Sequence, residues 1–467
     1  MNAAPARRAA YRVLLDVERG TADLPQVLAK ARARLDDPRD QSLASEIAIG
    51  TLRWRGALDH LIERFARRSI EDIDAEVLTV LRLSAYQLVH LDRIPPSAAV
   101  DEGVNLVREA QKKSATGFVN AVLRALARQR DALPLPGRPD VTMGTGDGHT
   151  GALLDYYSIT LSHPRWLVAR WLSRYGEAAT ETWLRFNNQE APLTLRANLL
   201  KISVEDLVAR LDEHGVTTVP TRYAPCGLTV TSGNPIRTPL EAQGLFVLQD
   251  EASQLVGLMV PVNEGSRVLD ACASPGGKTT ELASEMADHG LIVASDARAR
   301  RVALLEQTVR RSGARCIRLL QADLTRPAPF GPVFDAVLLD APCSGLGTLR
   351  RDPDIKWRRR EEDLPGLATA ELQMLRHAAD AVRPGGSLLY ATCSSEPEEN
   401  EEVAARFLEA RPDFAPADPE RVRAVTPAAA GRASLLPLDS AGHLRTYPHV
   451  HGLEAFFAAL FVRVRPV

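Results

Sequence analysis

The chain has 467 residues, 45% of them hydrophobic and 25% charged, a length that exceeds one ordinary core and predicts two or three domains. No apolar run approaches the roughly 18 residues a membrane span requires. The segment after Arg8 is amphipathic, with charges at Arg12, Asp16 and Glu18 instead of a signal-peptide core, so a soluble, cytoplasmic protein is expected. The net charge of −2 is unevenly spread: through Arg130, 21 Lys and Arg stand against 17 Asp and Glu, a balance of +4, which leaves −6 for the remainder. That lean fits solvated helix faces, and a phosphate-contacting surface also produces it. The five cysteines, at 226, 272, 316, 343 and 393, include no C-x-x-C spacing, which suits a reducing compartment and predicts no metal site.

From Arg7 to about Arg130 the pattern is helical. Leu58, Leu61, Ile62 and Phe65 follow the i, i+3, i+4, i+7 spacing of one apolar stripe. Pro95-Pro96 ends one helix, Ser97 is positioned to cap the next, and Lys112-Lys113-Ser114 separates the last two, giving a bundle of six or seven helices over residues 1–132. Leu133 to Pro139 is rich in proline and Gly144 to Gly151 in glycine, so residues 133–160 are expected to form a linker.

Residues 161–250 predict a small α+β module. Leu193, Leu195 and Ala197 alternate like a strand, Ser203 is placed to cap a helix through Leu211, and Leu228-Thr229-Val230 resumes a strand. Over 251–467 strands and helices alternate: Val268–Ala271, a helix from Lys278, Leu291–Ser295, a helix near Val302–Arg310, Ile317–Leu320, Phe334–Leu339, a helix near Leu367–Val382, and Ser387–Ala391. That order predicts a parallel, doubly wound α/β domain of Rossmann type.

The first of these strands runs through Asp270-Ala271-Cys272-Ala273-Ser274-Pro275-Gly276-Gly277-Lys278 into a helix, and Asp296 ends the next strand. Glycines where backbone must approach a ligand, followed by an acid that can bind ribose hydroxyls, are what a nucleotide-like cofactor needs. Gly277-Lys278-Thr279 echoes the end of a phosphate-binding loop, but the first glycine of that motif would fall at Cys272, which argues against an NTPase. Two further runs, Asp340-Ala341-Pro342-Cys343-Ser344-Gly345 and Tyr390-Ala391-Thr392-Cys393-Ser394, each put a cysteine just past an apolar stretch, where a thiolate can meet a ligand. Spacing alone does not say which of the two attacks.

These motifs, with Gln249 to Gln254 and Pro448-His449-Val450-His451-Gly452 before Phe456-Phe457, resemble the RNA cytosine-5 methyltransferase family from Gln249 to the C-terminus. The resemblance implies S-adenosyl-L-methionine as donor, wrapped by Cys272, Ala273, Ser274, Pro275, Gly276, Gly277 and Lys278. It further implies Asp296 on the ribose, Arg301 close by, Asp323 near the adenine, and Asp340 near the methionine end and the target base. It assigns attack on cytosine C6 to Cys393 and product release to Cys343, with Asp340 assisting at N3 and Lys278 orienting or stabilising charge; the Pro342-Cys343 pair alone is similar to the nucleophile motif of DNA cytosine-5 enzymes. Cys226 and Cys316 are read as packing residues and Cys272 as part of the turn. The sequence departs from the family at Ser274, where alanine is usual, and at Glu454-Ala455, where Asp-Gly is usual. The front half, at Asp40 to Asp59 and Phe118 to Arg124, is similar to the NusB family of RNA-binding helical proteins. The combination implies a bacterial 16S rRNA (cytosine-5)-methyltransferase acting on 16S rRNA or its small-subunit precursor, with tRNA or another RNA as the alternative substrate and a non-catalytic RNA-binding assembly factor as the alternative role.

Overall fold

A computed structural model describes residues 3–20, 23–139, 147–420, 422 and 436–465. The chain divides into two compact units, Met1–Glu190 with Leu349–Glu361, and Ala191–Thr348 with Glu362–Val467.

The first unit opens with seven α-helices among its described residues: α1 (Pro5–Glu18), α2 (Leu24–Arg32), α3 (Pro38–Arg53), α4 (Arg55–Ala66), α5 (Ala75–His90), α6 (Pro96–Glu109) and α7 (Thr116–Arg128). Local chemistry sets their starts. Asp37 accepts from Arg39 N at 2.7 Å before α3, and Asp74 accepts from Glu76 N at 3.1 Å before α5. α6 begins at Pro96, so Ser97 lies inside the first turn instead of capping it; proline's fixed φ and missing N–H favour that first position. α5 is the spine of the bundle, buried at every residue from Val77 to Leu88. Its one buried cation, Arg82, is paired with Asp59 at 2.6 Å and with Glu18, so its charge is compensated inside the core.

The expected linker packs against its neighbours at several of its described residues. Leu133 and Leu135 lie on the helical core, His60 Nε2 meets the Pro134 carbonyl at 3.1 Å, and Thr160 Oγ1 donates to the Pro136 carbonyl at 2.6 Å. Asp147–Asp155 is α-helical and Tyr156–Thr160 a π-helical turn, because Leu153, Tyr156, Tyr157 and Leu161 bury apolar surface that the glycine content concealed; Gly144 itself lies outside the described residues. The helix Arg165–Asn187, read with the small module, belongs to this first unit, breaks at Gly176 (φ 75°, ψ 176°), and stacks Trp171 on Trp183 at 4.4 Å.

A second departure is the segment Leu349–Glu361, expected in the catalytic half but packed in the first unit. Trp357 Nε1 donates to the Leu52 carbonyl at 2.6 Å. The fully buried Lys356 Nζ reaches the Arg53 and Ser162 carbonyls at 3.3 and 3.2 Å and Asn188 Oδ1 at 2.8 Å. Burial, with Arg53 nearby, pushes the Lys356 amine well below its ordinary range.

The second unit starts with strands β1 (Thr194–Ala197), β2 (Thr217–Pro220), β3 (Gly227–Ser232) and β4 (Phe246–Leu248), an antiparallel sheet in the order β2-β3-β1-β4. Ser203 caps its helix Val204–Glu213 by accepting from Asp206 N at 3.0 Å. An eight-stranded sheet follows: β5 (Arg267–Asp270), β6 (Leu291–Asp296), β7 (Ile317–Gln321), β8 (Phe334–Asp340), β9 (Val382–Thr392), β10 (Phe414–Pro416), β11 (Leu444–Arg445) and β12 (Phe457–Arg463), in the order β10-β12-β9-β8-β5-β6-β7 with β11 on β12. β9, β8, β5, β6 and β7 are parallel as expected. The sheet is nevertheless mixed, because β12 and β10 add antiparallel strands beyond β9. Strand order reverses between β5 and its neighbours β8 and β6, the kind of switch point that opens a crevice at the carboxyl ends of parallel strands.

Candidate active site

The carboxyl ends of four adjacent parallel strands carry the predicted residues. Cys272 to Lys278 follow β5, Asp296 ends β6, Asp340 ends β8, and Cys393 follows β9. In the turn after β5, Ala273 N donates to Ser295 O at 2.8 Å, the Ser274-Pro275 peptide is cis, and Gly276 has φ +105° where a Cβ would meet Leu305 at 2.8 Å. Glycine alone fits that position without strain. The helix Gly277–Glu285 then points its free N-terminal amides towards the turn.

Three features of this turn suit a nucleoside-bearing ligand. Asp296 is buried at its carboxylate and is held by Arg301 Nε at 3.2 Å, while Arg301 Nη2 also donates to the Ser274 carbonyl at 2.8 Å. Ser274 Oγ and Asp270 Oδ1 are buried with no hydrogen-bond partner, an unmet capacity that a polar ligand can fill. Burial, opposed by the Thr279 hydroxyl that donates to Asp270 Oδ2 at 2.6 Å, raises the Asp270 carboxyl to about 7. Asp323 follows β7 in an exposed loop, where its Oδ1 accepts from Thr325 N at 3.0 Å and Thr325 Oγ1 at 2.7 Å.

Beside the turn, Lys278 Nζ bridges Asp340 Oδ2 at 2.7 Å and Ser253 Oγ at 2.9 Å and lies 5.7 Å from the centre of the Phe456 ring. Burial opposes its charge, but Asp340 outweighs it and raises the ammonium above its usual range. Cys343 and Cys393 face each other with sulfurs 3.4 Å apart. The contact with Cys393 and burial raise the Cys343 thiol well above its ordinary range, so Cys343 keeps its proton. Cys272, Cys226 and Cys316 are raised chiefly by burial, Cys226 to about 11 and Cys316 to about 12, which leaves them poor nucleophiles at neutral pH.

The loop after β8 is locked by Gly347, whose N–H donates to the Cys393 carbonyl at 2.9 Å and whose carbonyl accepts from Ala455 N at 3.0 Å; a Cβ there would lie 1.9 Å from the Ala455 carbonyl oxygen. The Glu454-Ala455 departure is therefore accommodated: Glu454 is fully buried, its carbonyl accepts from Thr446 Oγ1 at 2.6 Å, and the strand register of β12 on β9 is unbroken. Sequence reasoning quoted Asp270, Ser253 and Phe456 within their motifs but assigned them no role. The first could have been found as the acid closing β5.

Three family models match in chain order: the NusB family over residues 4–128, the ferredoxin-like domain of RsmF/B-like methyltransferases over 163–237, and 16S rRNA methyltransferase RsmB/F over 257–462. The probable ribosomal RNA small subunit methyltransferase B of Synechocystis is 32% identical over 463 residues, covering 97% of this chain and 98% of its own. The chain belongs to the 16S rRNA methyltransferase RsmB/F family. A second relative, ribosomal RNA small subunit methyltransferase B of Pseudomonas putida, is 34% identical over 87% of this chain and 89% of its own. Among solved structures, PH0851 superposes with a TM-score of 0.76 at 25% identity over 99% of both chains, and a methyltransferase homolog from Pyrococcus horikoshii with 0.55 at 27% identity over 67% of this chain and 99% of its own. The RsmB/F family frame thus covers the helical bundle, the ferredoxin-like module and the Rossmann-like catalytic domain together. No helix among the described residues is long and apolar enough to cross a membrane, and none of their His, Cys, Asp and Glu side chains group to hold a metal.

Proposed function

We propose that the chain methylates C5 of a cytosine in 16S rRNA, using S-adenosyl-L-methionine and a covalent adduct between Cys393 and the base. The observation that carries this reading is the pair of sulfurs 3.4 Å apart at the ends of β8 and β9, beside the Lys278–Asp340 ion pair. The relatives' names supply the RNA class.

S-adenosyl-L-methionine, when bound, supplies an electrophilic methyl group. Ser274 and Asp270, with their unmet hydrogen-bonding capacity, and the buried Asp296 carboxylate are the residues that would hold its polar groups. Cytosine C5 is too weak a nucleophile to take the methyl unaided, so the Cys393 thiolate adds first at C6 and makes C5 enamine-like. With the base bound, a proton passed from Lys278 Nζ, 2.7 Å away, protonates Asp340, which then donates at N3 as negative charge develops there. Lys278 also fixes the rotamer of Asp340 through Ser253. After methyl transfer the C5 proton leaves to a base and the C6–S bond breaks, returning the electron pair to Cys393. Cys343, protonated at rest and 3.4 Å from the Cys393 sulfur, assists this release by donating to the departing thiolate.

In the helical unit a cleft of about 300 Å³ between α1 and α2 is lined by Arg8, Arg12, Lys30 and Arg34, with Asp16 among them and Val13, Val27 and Leu35 as apolar floor. This cationic groove is the surface on which the bundle would hold RNA phosphates. Mass-spectrometric mapping of 5-methylcytosine in rRNA and tRNA from a deletion strain tests the proposal. Loss of a site in 16S rRNA, restored by the wild-type gene, is expected; an unchanged 16S map with a site lost from tRNA would move the substrate to the alternative class.

A further inference from the structure

Immediately behind both cysteines lies a buried carboxylate that the mechanism above does not use. Glu399 closes the turn Pro397–Glu399 and is fully buried. Its Oε1 accepts from the backbone N–H of Ser344 at 2.6 Å, and its Oε2 accepts from the Ser344 hydroxyl at 2.6 Å and from the Ser394 hydroxyl. Ser344 and Ser394 are the residues next to Cys343 and Cys393, and their hydroxyls lie 3.2 Å apart. Asn400 extends the tie, accepting from Thr392 Oγ1 and donating to the Ser394 carbonyl at 3.0 Å. Three donors from two separate loops thus converge on one carboxylate.

We infer that Glu399 is a positioning residue for both cysteines, its carboxylate tying the loop after β8 to the loop after β9 so that the two sulfurs are held face to face. A neutral bond, Gly347 N–H to the Cys393 carbonyl at 2.9 Å, joins the same loops farther along, whereas the Glu399 tie falls at the residues next to the sulfurs. Charge-assisted hydrogen bonds are short and directional, and in a water-free site they fix geometry more tightly than neutral ones. The carboxylate also accounts for its neighbour: burial and Glu399 raise the Glu371 carboxyl to about 11, so Glu371 stays protonated and only one negative charge sits beneath the cysteines. That charge adds to the forces that keep the proton on Cys343. Tyr390, on the strand leading to Cys393, donates to the Glu399 carbonyl and anchors the turn from below.

The inference rests on both cysteines serving one reaction, and its test separates the two ideas. Full-length protein is treated with diamide and the rate of Cys343–Cys393 disulfide formation is followed by peptide mass spectrometry, a readout of sulfur juxtaposition that needs no substrate. Steady-state methylation of 16S rRNA gives kcat and KM alongside. Glu399→Ala should slow the disulfide at least tenfold and lower kcat at least tenfold, with KM for S-adenosyl-L-methionine within about twofold. Glu399→Gln, whose amide can still accept from Ser344 N–H and donate to the hydroxyls, should recover most of the disulfide rate. If Glu399→Ala does not fold, the Ser344→Ala/Ser394→Ala double variant removes two of the three donors, leaving the Ser344 N–H, and should slow the disulfide and lower kcat in the same direction by at least threefold. A wild-type disulfide rate in whichever of these folds overturns the inference while leaving the methyltransferase reading intact. A slowed disulfide in a protein whose wild type methylates no RNA supports the tie and defeats the functional reading instead.

Discussion

At the residue scale, the site separates groups that hold a ligand from groups that react. Asp296 is proposed for the first kind: its buried carboxylate, at the end of β6, is steadied by Arg301. Asp296→Ala should weaken S-adenosyl-L-methionine binding by about one to two decades, as loss of charge-assisted hydrogen bonds worth roughly 1.5–3 kcal/mol implies. Calorimetry on purified protein checks it, and unchanged affinity in a folded variant would remove Asp296 from the donor site. Glu371 is different, since it works by staying neutral. Its carboxyl titrates near 11 in the folded protein against 4.5 ordinarily, so the native state holds a proton that the unfolded chain releases above about pH 4.5. Stability therefore falls as pH rises through that window. Glu371→Gln removes the dependence, and its melting temperature relative to wild type should climb between pH 5 and pH 9; a difference that stays flat would show that Glu371 is ionised in the fold.

At the element scale, the turn after β5 depends on one backbone conformation. Gly276→Ala combines a positive φ with a Cβ 2.8 Å from Leu305, and should cost about 1–3 kcal/mol and loosen donor binding. Chemical denaturation with parallel calorimetry measures both; wild-type values would mean that the turn relaxes freely. This turn was legible in the sequence because proline and paired glycines mark it locally and Asp296 ends the next strand. So were the parallel strands, whose apolar runs alternate with helical periods. β12 was not: Phe457 to Phe461 are all buried, so its run shows no two-residue alternation to distinguish it. Glu399 and Asn400 escaped for the opposite reason. A Glu-Pro-Glu-Glu-Asn stretch reads as solvated loop, and only the fold turns Glu399 inward beneath the nearby Ser394 and the sequence-distant Ser344.

At the scale of the whole molecule, the chain's order does not match its units. Leu349–Glu361 leaves the catalytic half six residues after Cys343 and packs with the helical unit, an excursion that no periodicity in thirteen residues can announce. Domain deletion tests it. Removing residues 1–135 deprives Trp357 of its Leu52 acceptor and Lys356 of the Arg53 carbonyl, so the truncated protein should be cut rapidly by trypsin within 349–361 under conditions that spare the full chain. Equal protection in both would show that the segment holds its place without the bundle.

The central claim concerns chemistry at Cys393, and the adduct itself reports on it. Purified Cys343→Ala, incubated with 16S rRNA and S-adenosyl-L-methionine, should attack normally but release slowly, accumulating an RNA–protein complex stable to denaturing electrophoresis whose peptide map places the nucleotide on Cys393. Cys393→Ala should form none. An adduct that accumulates in Cys393→Ala and maps to Cys343 would contradict the account and reverse the roles of the two sulfurs.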